Sequence, residues 1–536
     1  MAKHKRNNTT TLKPHTPVNE ERKQDKEHRQ WRIPPMIVMF IAVWAWGALW
    51  YGDVLRIARE YSFWAPDDTL MYYEQGRPWG ALWTMGLMLL QLFRWPWVGA
   101  LLSSLLITGS TYMVGYCLKL RGWWRLIQYI PATLLLGLTA YIGFDLYFET
   151  ETGMIMGIPL LCFVVLLILT IVIRSFSRHS MPSPLKAYDG DGSWLRRAQV
   201  AAALATVLIP MGITQWMRPY VRVVTHMQCQ MMQQDWKGMS ETARKNCELS
   251  YRQIAAYYAI ALVQRGEIGT RLFDIRLDYD EPYLHGFDGK GNNASNYYMM
   301  DCDFHAGLIQ TAIHHGMEQM TMNGPSLRTL KVLTKCALLK NEWEVAEKYL
   351  AILRKAPFED KWLEKYAPMV RDTARIQNDP EFKTIRLTEP LHDSFENTYV
   401  QPVFLGYNAA LLEGRSINAL WNSLAVHIYT KTMQEFIFRC QPMQGTTPPE
   451  SFSQALALMA GKQPQLLQAF PSIQMQNDRL ARFVQDVKPL MSDRPKYARE
   501  LFPRYKGYYP YYYFFGNLKA TRKHKENTGT SNSGVN

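Results

Sequence analysis

Two acidic residues near the start of the chain could carry chemistry. Asp67 and Asp68 precede a tryptophan-rich apolar segment, so their carboxylates would lie close to a membrane surface. There, a carboxylate could act as a general base or hold a metal ion while the protein acts on a lipid-linked substrate. The alternative is that acidic residues are simply tolerated in these loops, which together carry Asp53, Glu60, Asp67, Asp68, Glu74, Asp145, Glu149 and Glu151.

Side chains typical of metal ligands are clustered in Asp301–His305, followed by His314 and His315. The first and last residues of that run would share a helix face, whereas His314, on a continuous helix, would point the other way. His226 and Cys229 have a close spacing but no second pair of ligands follows them. We therefore predict no metal site.

Motifs of familiar catalytic and nucleotide-binding sites are absent: the sequence contains no G-x-S-x-G, P-loop, G-x-G-x-x-G or H-E-x-x-H. We predict no cofactor. The cysteines of the polar half lack the spacing of a disulfide framework, so buried thiols are the simpler interpretation, although two disulfides and one free thiol would also fit. These residues are Cys229, Cys247, Cys302, Cys336 and Cys440.

The elements that position these residues differ between the two halves of the 536-residue chain. Residues 33–217 contain five apolar runs of about the length needed to cross a bilayer, whereas residues 218–536 contain none. The sequence therefore predicts an all-α protein, with a transmembrane bundle over 33–217 and a soluble domain over 218–525. The runs are Ile33 to Tyr51, Trp97 to Cys117, Leu126 to Phe144, Met154 to Ile173 and Ala198 to Met217.

Residues 78–93 decide between five spans and six. Five spans place 17 Lys and Arg residues on the side of the N-terminal tail and 6 on the other side, whereas six spans give 12 and 11. The positive-inside rule favours the five-span arrangement. Segment 78–93 would then lie on the outer face, with the N-terminus in the cytoplasm and the soluble domain outside it.

Membrane orientation also explains the basic balance of 60 Lys and Arg against 46 Asp and Glu, so we predict membrane lipid and no nucleic acid as a partner. The flanking segments 1–32 and 526–536 are polar and are predicted to be disordered.

Helical periodicity dominates the soluble half. Short helices joined by short turns predict stacked antiparallel hairpins, as in a solenoid. The predicted helices cover residues 240–265, 303–321, 326–339, 342–355, 359–373, 402–413, 416–439, 450–460 and 477–491.

One hairpin resembles a tetratricopeptide repeat. Trp343 to Leu353 has the aromatic, small and large apolar positions of the second helix of that repeat, and an apolar helix precedes it. Thr334 and Ala337 stand where the first helix usually has Gly and Tyr. No second copy has all the marks, so a non-repetitive helical domain is the alternative.

Eight aromatic residues crowd the stretch from Tyr505 to Phe515. We predict a capping strand or turn that covers the last helical pair. Docking to a partner or to the membrane interface is the alternative.

Four stretches together resemble a family of uncharacterised bacterial inner-membrane proteins: Leu92–Ala100, Gly307–Ala312, Trp343–Leu353 with Phe358 and Trp362, and Tyr511–Phe515. The resemblance implies an N-terminal membrane bundle and a C-terminal helical domain of repeat-like character, and it implies no activity. A more distant similarity in layout, to polytopic glycosyltransferases that use lipid-linked sugars, nominates Asp67 or Asp68. Those enzymes typically have eight or more spans.

Two functions follow as hypotheses. The favoured one is a scaffold, anchored in the bacterial inner membrane, whose periplasmic helical domain binds an envelope protein or peptide through residues 218–525. The other is an envelope transferase that acts on a lipid-linked substrate at the outer leaflet through Asp67 or Asp68.

Overall fold

A computed structural model describes residues 34–146, 151–176, 193–249, 251–277, 283–285, 294–391, 400–402, 416–487 and 494–516. Helices dominate these residues, which confirms the predicted all-α class. The strands within this part of the chain are two three-residue segments, β1 (Tyr283–His285) and β2 (Val400–Pro402), which pair antiparallel. Both tails and most of the predicted helix 402–413 lie outside the described residues.

The described residues of the N-terminal half include eight α-helices. Four stretches, residues 96–117, 122–142, 154–175 and 194–217, are long and apolar enough to cross a membrane. Residues 35–50 and 52–60 pass the same test as a pair bent by 63°, which gives up to five crossing helices. The helices are α1 Pro35–Ala45, α2 Gly52–Glu60, α3 Asp68–Gln75, α4 Gly80–Leu90, α5 Pro96–Cys117, α6 Ile130–Ile142, α7 Met154–Phe176 and α8 Ser193–Met217.

Polar contacts show which helix ends lie together. At one end of the bundle, the indole of Trp44 near the end of α1 donates to the carbonyl of Trp97 in α5, at 3.1 Å. The hydroxyl of Tyr51 donates to the carbonyl of Ala140 near the end of α6. At the opposite end, the thiol of Cys117 lies 3.3 Å from the hydroxyl of Thr170, where α5 and α7 finish.

Helix α4 has both of its ends at the same end of the bundle. Arg77, just before α4, pairs with Glu151, just before α7, at 2.6 Å, and Gln91, just after α4, contacts Arg59 of α2. Eleven residues of helix extend only about 16 Å, roughly half the thickness of a bilayer core. The helix packs closely on α7, where a Cβ at Gly86 would lie 2.1 Å from the carbonyl oxygen of Gly153.

The C-terminal half is a helical domain in which successive helices pack on their neighbours. Its described helices are α9 Tyr220–Met232, α10 Trp236–Lys245, α11 Arg252–Arg265, α12 Ile268–Arg271, α13 Ala294–His305, α14 Ile309–Asn323, α15 Leu327–Lys340, α16 Trp343–Leu353, α17 Asp360–Tyr366, α18 Thr373–Asn378, α19 Pro380–Thr388, α20 Ile417–Thr430, α21 Met433–Arg439, α22 Glu450–Ala460, α23 Gln465–Ala469, α24 Asn477–Val487, α25 Arg494–Tyr505 and α26 Tyr509–Phe515.

Capping residues set the bounds of the α15–α16 hairpin, which agree with prediction to within two residues. The side chain of Ser326 accepts a hydrogen bond from the backbone N–H of Thr329 and so caps α15 at its N-terminus. Asn341 ends that helix in the left-handed conformation, with φ of 61°. Asparagine tolerates this conformation well, which is why a tight turn forms there.

Three predicted helices are each divided into two. The predicted helix 303–321 breaks at Gly307, whose φ of 85° suits glycine, and where a Cβ would lie 2.6 Å from the backbone of Glu389. The predicted helix 416–439 breaks at Lys431, which has φ of 61°. The predicted helix 240–265 is divided as well, since α10 ends at Lys245 and α11 begins at Arg252. Each break reverses the chain into a hairpin, so the domain has more and shorter helices than periodicity alone indicated.

The aromatic C-terminus is a helix, α26, and not a strand. Tyr509 is fully buried, and its hydroxyl donates to the carbonyl of Ile428 at 3.2 Å. The hydroxyl of Tyr512 donates to the carbonyl of Tyr429 at 2.7 Å. These aromatic side chains therefore pack against α20, and the backbone N–H of Tyr509 donates to Gln454 of α22, whereas the sequence predicted a cap over the last helical pair.

Candidate functional site at the membrane–domain junction

Four charged side chains join the membrane bundle to the helical domain. Arg59 and Glu60 end α2, Lys331 lies in α15, and Glu359 immediately precedes α17. We call these four residues the junction network. Arg59 and Glu359 form an ion pair in which both side chains are fully buried. Two positive and two negative groups balance, so the junction buries no net charge.

Directional contacts complete the junction network. The Nη1 atom of Arg59 lies 2.7 Å from Oε1 of Glu60, and its Nε donates to Gln91 at 3.2 Å. Lys331 bridges the two carboxylates, with Nζ 2.8 Å from Oε2 of Glu60 and 2.9 Å from Oε2 of Glu359. Charge-assisted hydrogen bonds of this kind are strong and sensitive to geometry. They therefore hold α2 in one position against the helical domain.

Apolar contacts surround the junction network. Phe63, just after α2, packs with Leu327 and Leu353 of the α15–α16 hairpin. The ring of Trp95 meets the ring of Phe358 edge-on, with centroids 5.0 Å apart. This shell helps to exclude water from the ion pairs, which strengthens their attraction.

The predicted site residue Asp67 also contacts the helical domain. Its carboxylate accepts a hydrogen bond from the backbone N–H of Leu70 at 3.1 Å and pairs with Lys355. The hydrogen bond from Lys355 lowers the pKa of Asp67. A carboxylate held in its ionised form is a poorer general base, because its affinity for a proton is reduced.

The second predicted site residue, Asp68, is the exposed first residue of α3. A carboxylate at this position interacts favourably with the helix dipole. The structure places Asp67 and Asp68 side by side at the start of α3 and gives Asp67 a structural role, while the catalytic role of either residue stays a prediction.

Other acidic residues of the two loops also have basic partners. Asp53 faces His226, Glu60 belongs to the junction network, and Glu151 pairs with Arg77. The last pair joins the two acidic loops directly. Glu149 and the side chain of Glu74 lie outside the described residues.

A cleft of about 460 Å³ opens beside the end of α8. Its lining includes Gln215, Arg222, His226 and Lys245. The Nδ1 atom of His226 lies 2.7 Å from Oδ2 of Asp53, and this hydrogen bond raises the pKa of His226. The cleft therefore has a polar wall next to an apolar helix, in which Glu248 lies among the basic side chains, although neither predicted aspartate lines it.

The break at Gly307 divides the cluster of aspartates and histidines in which the sequence predicted no metal site. Asp301 binds Arg328, whose Nε and Nη2 lie 2.9 and 2.6 Å from the same carboxylate oxygen. Burial lowers the pKa of His305 to about 3, and its ring packs against Trp236. Asp301 is therefore engaged by Arg328, and His305 lies against an aromatic ring.

The same break brings Asp303 of α13 to His315 of α14, at 3.4 Å between Oδ2 and Nε2. The sequence predicted one continuous helix over residues 303–321, which keeps Asp303 and His315 apart, so this contact was not predicted. Glu318 was not identified either, although it lies four residues after His314 and therefore one helical turn beyond it.

The cysteines are free thiols throughout the described residues. Four of those in the helical domain, Cys229, Cys302, Cys336 and Cys440, are buried, and Cys247 is partly exposed. Burial raises the pKa of Cys336 and Cys440, the latter to about 12. These two are therefore neutral core residues near pH 7, in agreement with the simpler interpretation of the sequence.

Sequence reasoning did not identify the junction network. Arg59 and Glu60 lie in a short helix that also carries Asp53 and Arg56, so the sequence does not single them out. Lys331 and Glu359 look like ordinary surface residues in the sequence. Their pairing depends on contacts across about 300 positions, which no local pattern encodes.

A model of a protein family of unknown function (DUF6057) matches residues 139–516. This segment contains the last transmembrane candidates and the helical domain. No curated protein and no solved structure matches the chain.

Removing one member of the junction network should be costly. Arg59→Met and Glu359→Gln each leave the buried junction network with one unbalanced charge, and breaking a buried pair typically costs about 3–5 kcal/mol. We expect each variant to lower the midpoint of thermal unfolding of the detergent-purified protein by several degrees. The double variant removes one charge of each sign and should lose less than the sum of the two.

Lys355→Ala is the matched control, because it breaks an exposed ion pair, and exposed pairs contribute little to stability. Single variants as stable as this control would mean that the junction network does not hold the domain.

Proposed function

The chain belongs to the DUF6057 family of unknown function, and we propose that it is a membrane-anchored scaffold whose helical domain binds an envelope protein or peptide. The observation that carries the proposal is the junction network. It would fix the orientation of a large helical domain relative to the membrane. A docking platform requires a fixed orientation, whereas a freely tethered enzyme domain does not.

The contacts of the bundle support a periplasmic position for the domain in a bacterial inner membrane. Helix α2, both ends of α4 and the start of the helical domain lie at one end of the bundle. With 17 basic residues assigned to the other side, the positive-inside rule puts that other side in the cytoplasm. The five-span arrangement and the outer-face position of segment 78–93 follow as parts of the same proposal.

The hairpin packing supports a binding role of the tetratricopeptide type. In α16, Ala346 is fully buried against α15, and Trp343 packs on the same core cluster. A small residue at such a position allows close approach of two helices. Stacked hairpins of this kind typically offer a concave surface for a peptide or a helix of a partner.

The cleft beside α8 favours a second candidate, the transferase that acts on a lipid-linked substrate. Its basic side chains Arg222 and Lys245 would suit a phosphate-bearing headgroup, and it opens next to the membrane helix. His226, oriented by Asp53, would be better placed there for proton transfer than Asp67 or Asp68.

Partner binding should depend on the helical domain. We expect wild-type protein, purified after cross-linking in cells, to bring down an envelope protein, and a form without residues 218–536 to bring down none while the bundle still inserts. Capture of the envelope protein by the truncated form would contradict the proposed scaffold function. Membrane insertion is checked separately by resistance of the truncated form to alkaline extraction.

Two aspartate variants separate the scaffold from a transferase that acts through Asp67 or Asp68. If the scaffold is right, Asp67→Asn and Asp68→Asn should keep partner capture and cellular phenotype, because neither carboxylate does chemistry. Lys355→Ala is the control for Asp67→Asn, since it breaks the same ion pair and leaves the carboxylate in place. Loss of function in an aspartate variant at normal protein level, with Lys355→Ala unaffected, would favour the transferase.

A further inference from the structure

Three side chains on one turn of α14 converge. One ligand atom from each of His314, His315 and Glu318 lies within 4.8 Å of the other two. His315 is almost fully buried, and neither of its ring nitrogens makes a hydrogen bond within the described residues. His314 and Glu318 are partly exposed, so the group is open to solvent on one side.

The separations are close to those expected of ligand atoms that share one ion. The Nε2 atom of His314 lies 3.4 Å from Oε1 of Glu318, and Nδ1 of His315 lies 3.8 Å from Oε2 of the same carboxylate. Typical N–H···O hydrogen bonds measure about 2.7–3.2 Å. By contrast, two ligand atoms on a tetrahedral zinc ion, each about 2.0–2.1 Å from the metal, are about 3.3–3.4 Å apart.

A buried carboxylate supports the group from the neighbouring helix. Oδ2 of Asp303, whose side chain is fully buried, lies 3.4 Å from Nε2 of His315. Nδ1 of His315 faces Glu318, so Nε2 is the ring atom that faces Asp303. Metal-binding histidines usually donate their other ring N–H to such a carboxylate, which fixes the tautomer and the ring orientation.

We propose that His314, His315 and Glu318 bind a divalent transition-metal ion, zinc first among them, with Asp303 orienting His315. Imidazole and carboxylate ligands suit zinc, and the solvent-exposed side leaves a position for water. The ion would link α14 to α13 across the break at Gly307. This site is independent of the junction network and of the proposed scaffold function.

The test uses the full-length protein in detergent, purified without a histidine tag, stripped with a chelator and titrated with Zn²⁺ against a chromogenic chelator. We expect one zinc per chain, together with a rise in the thermal unfolding midpoint on zinc addition. His314→Ala and Glu318→Gln should each lose both effects. Both residues are partly exposed, so these variants should fold.

Two further variants make the test specific. His226→Ala removes another exposed histidine that pairs with a carboxylate, and it should bind zinc like the wild type. Asp303→Asn should weaken binding about 10- to 100-fold without abolishing it. Absence of stoichiometric zinc, or equal binding by wild type, His314→Ala and Glu318→Gln, would overturn the site. Unchanged affinity in Asp303→Asn would overturn the role of Asp303.

Discussion

The ion pair between Arg59 and Glu359 is the interaction on which the architecture depends. Burying these charges costs free energy, and the cost is offset only while the whole junction network is assembled. An apolar contact alone is non-directional and would let the domain slide or rotate on the membrane bundle. The paired charges favour a single arrangement of the two parts, because all of their directional hydrogen bonds must form at the same time.

This constraint explains the shape of the N-terminal half. The bend after Trp50 turns α2 away from α1 and carries Arg59 to the helical domain. Helix α4 returns to the same end of the bundle, where Gln91 supports the guanidinium of Arg59. In a simple membrane anchor these segments would be loops. Here they form the surface on which the helical domain packs, and their acidic residues are structural partners of basic side chains.

Much of the fold was predictable from the sequence, because hydrophobic length and period depend on local composition. The apolar runs, the helical class and the α15–α16 hairpin follow from such patterns. The breaks at Gly307 and Lys431 were missed, since one residue in a left-handed conformation hardly alters the period. The approach of Asp303 to His315 and the junction network were missed for a related reason. They arise from chain reversals and contacts distant in sequence.

The side of the membrane on which the helical domain lies tests the account most directly. Met475 in the domain and Trp79 before α4 are both well exposed, and each can be changed to cysteine. In intact cells, an impermeant maleimide should label Met475→Cys and Trp79→Cys above the unsubstituted chain, and should label Thr10→Cys in the tail only after the membrane is opened. The account would be contradicted if Met475→Cys were labelled only after the membrane is opened. It would also be contradicted if Met475→Cys and Trp79→Cys were labelled from different sides of the membrane.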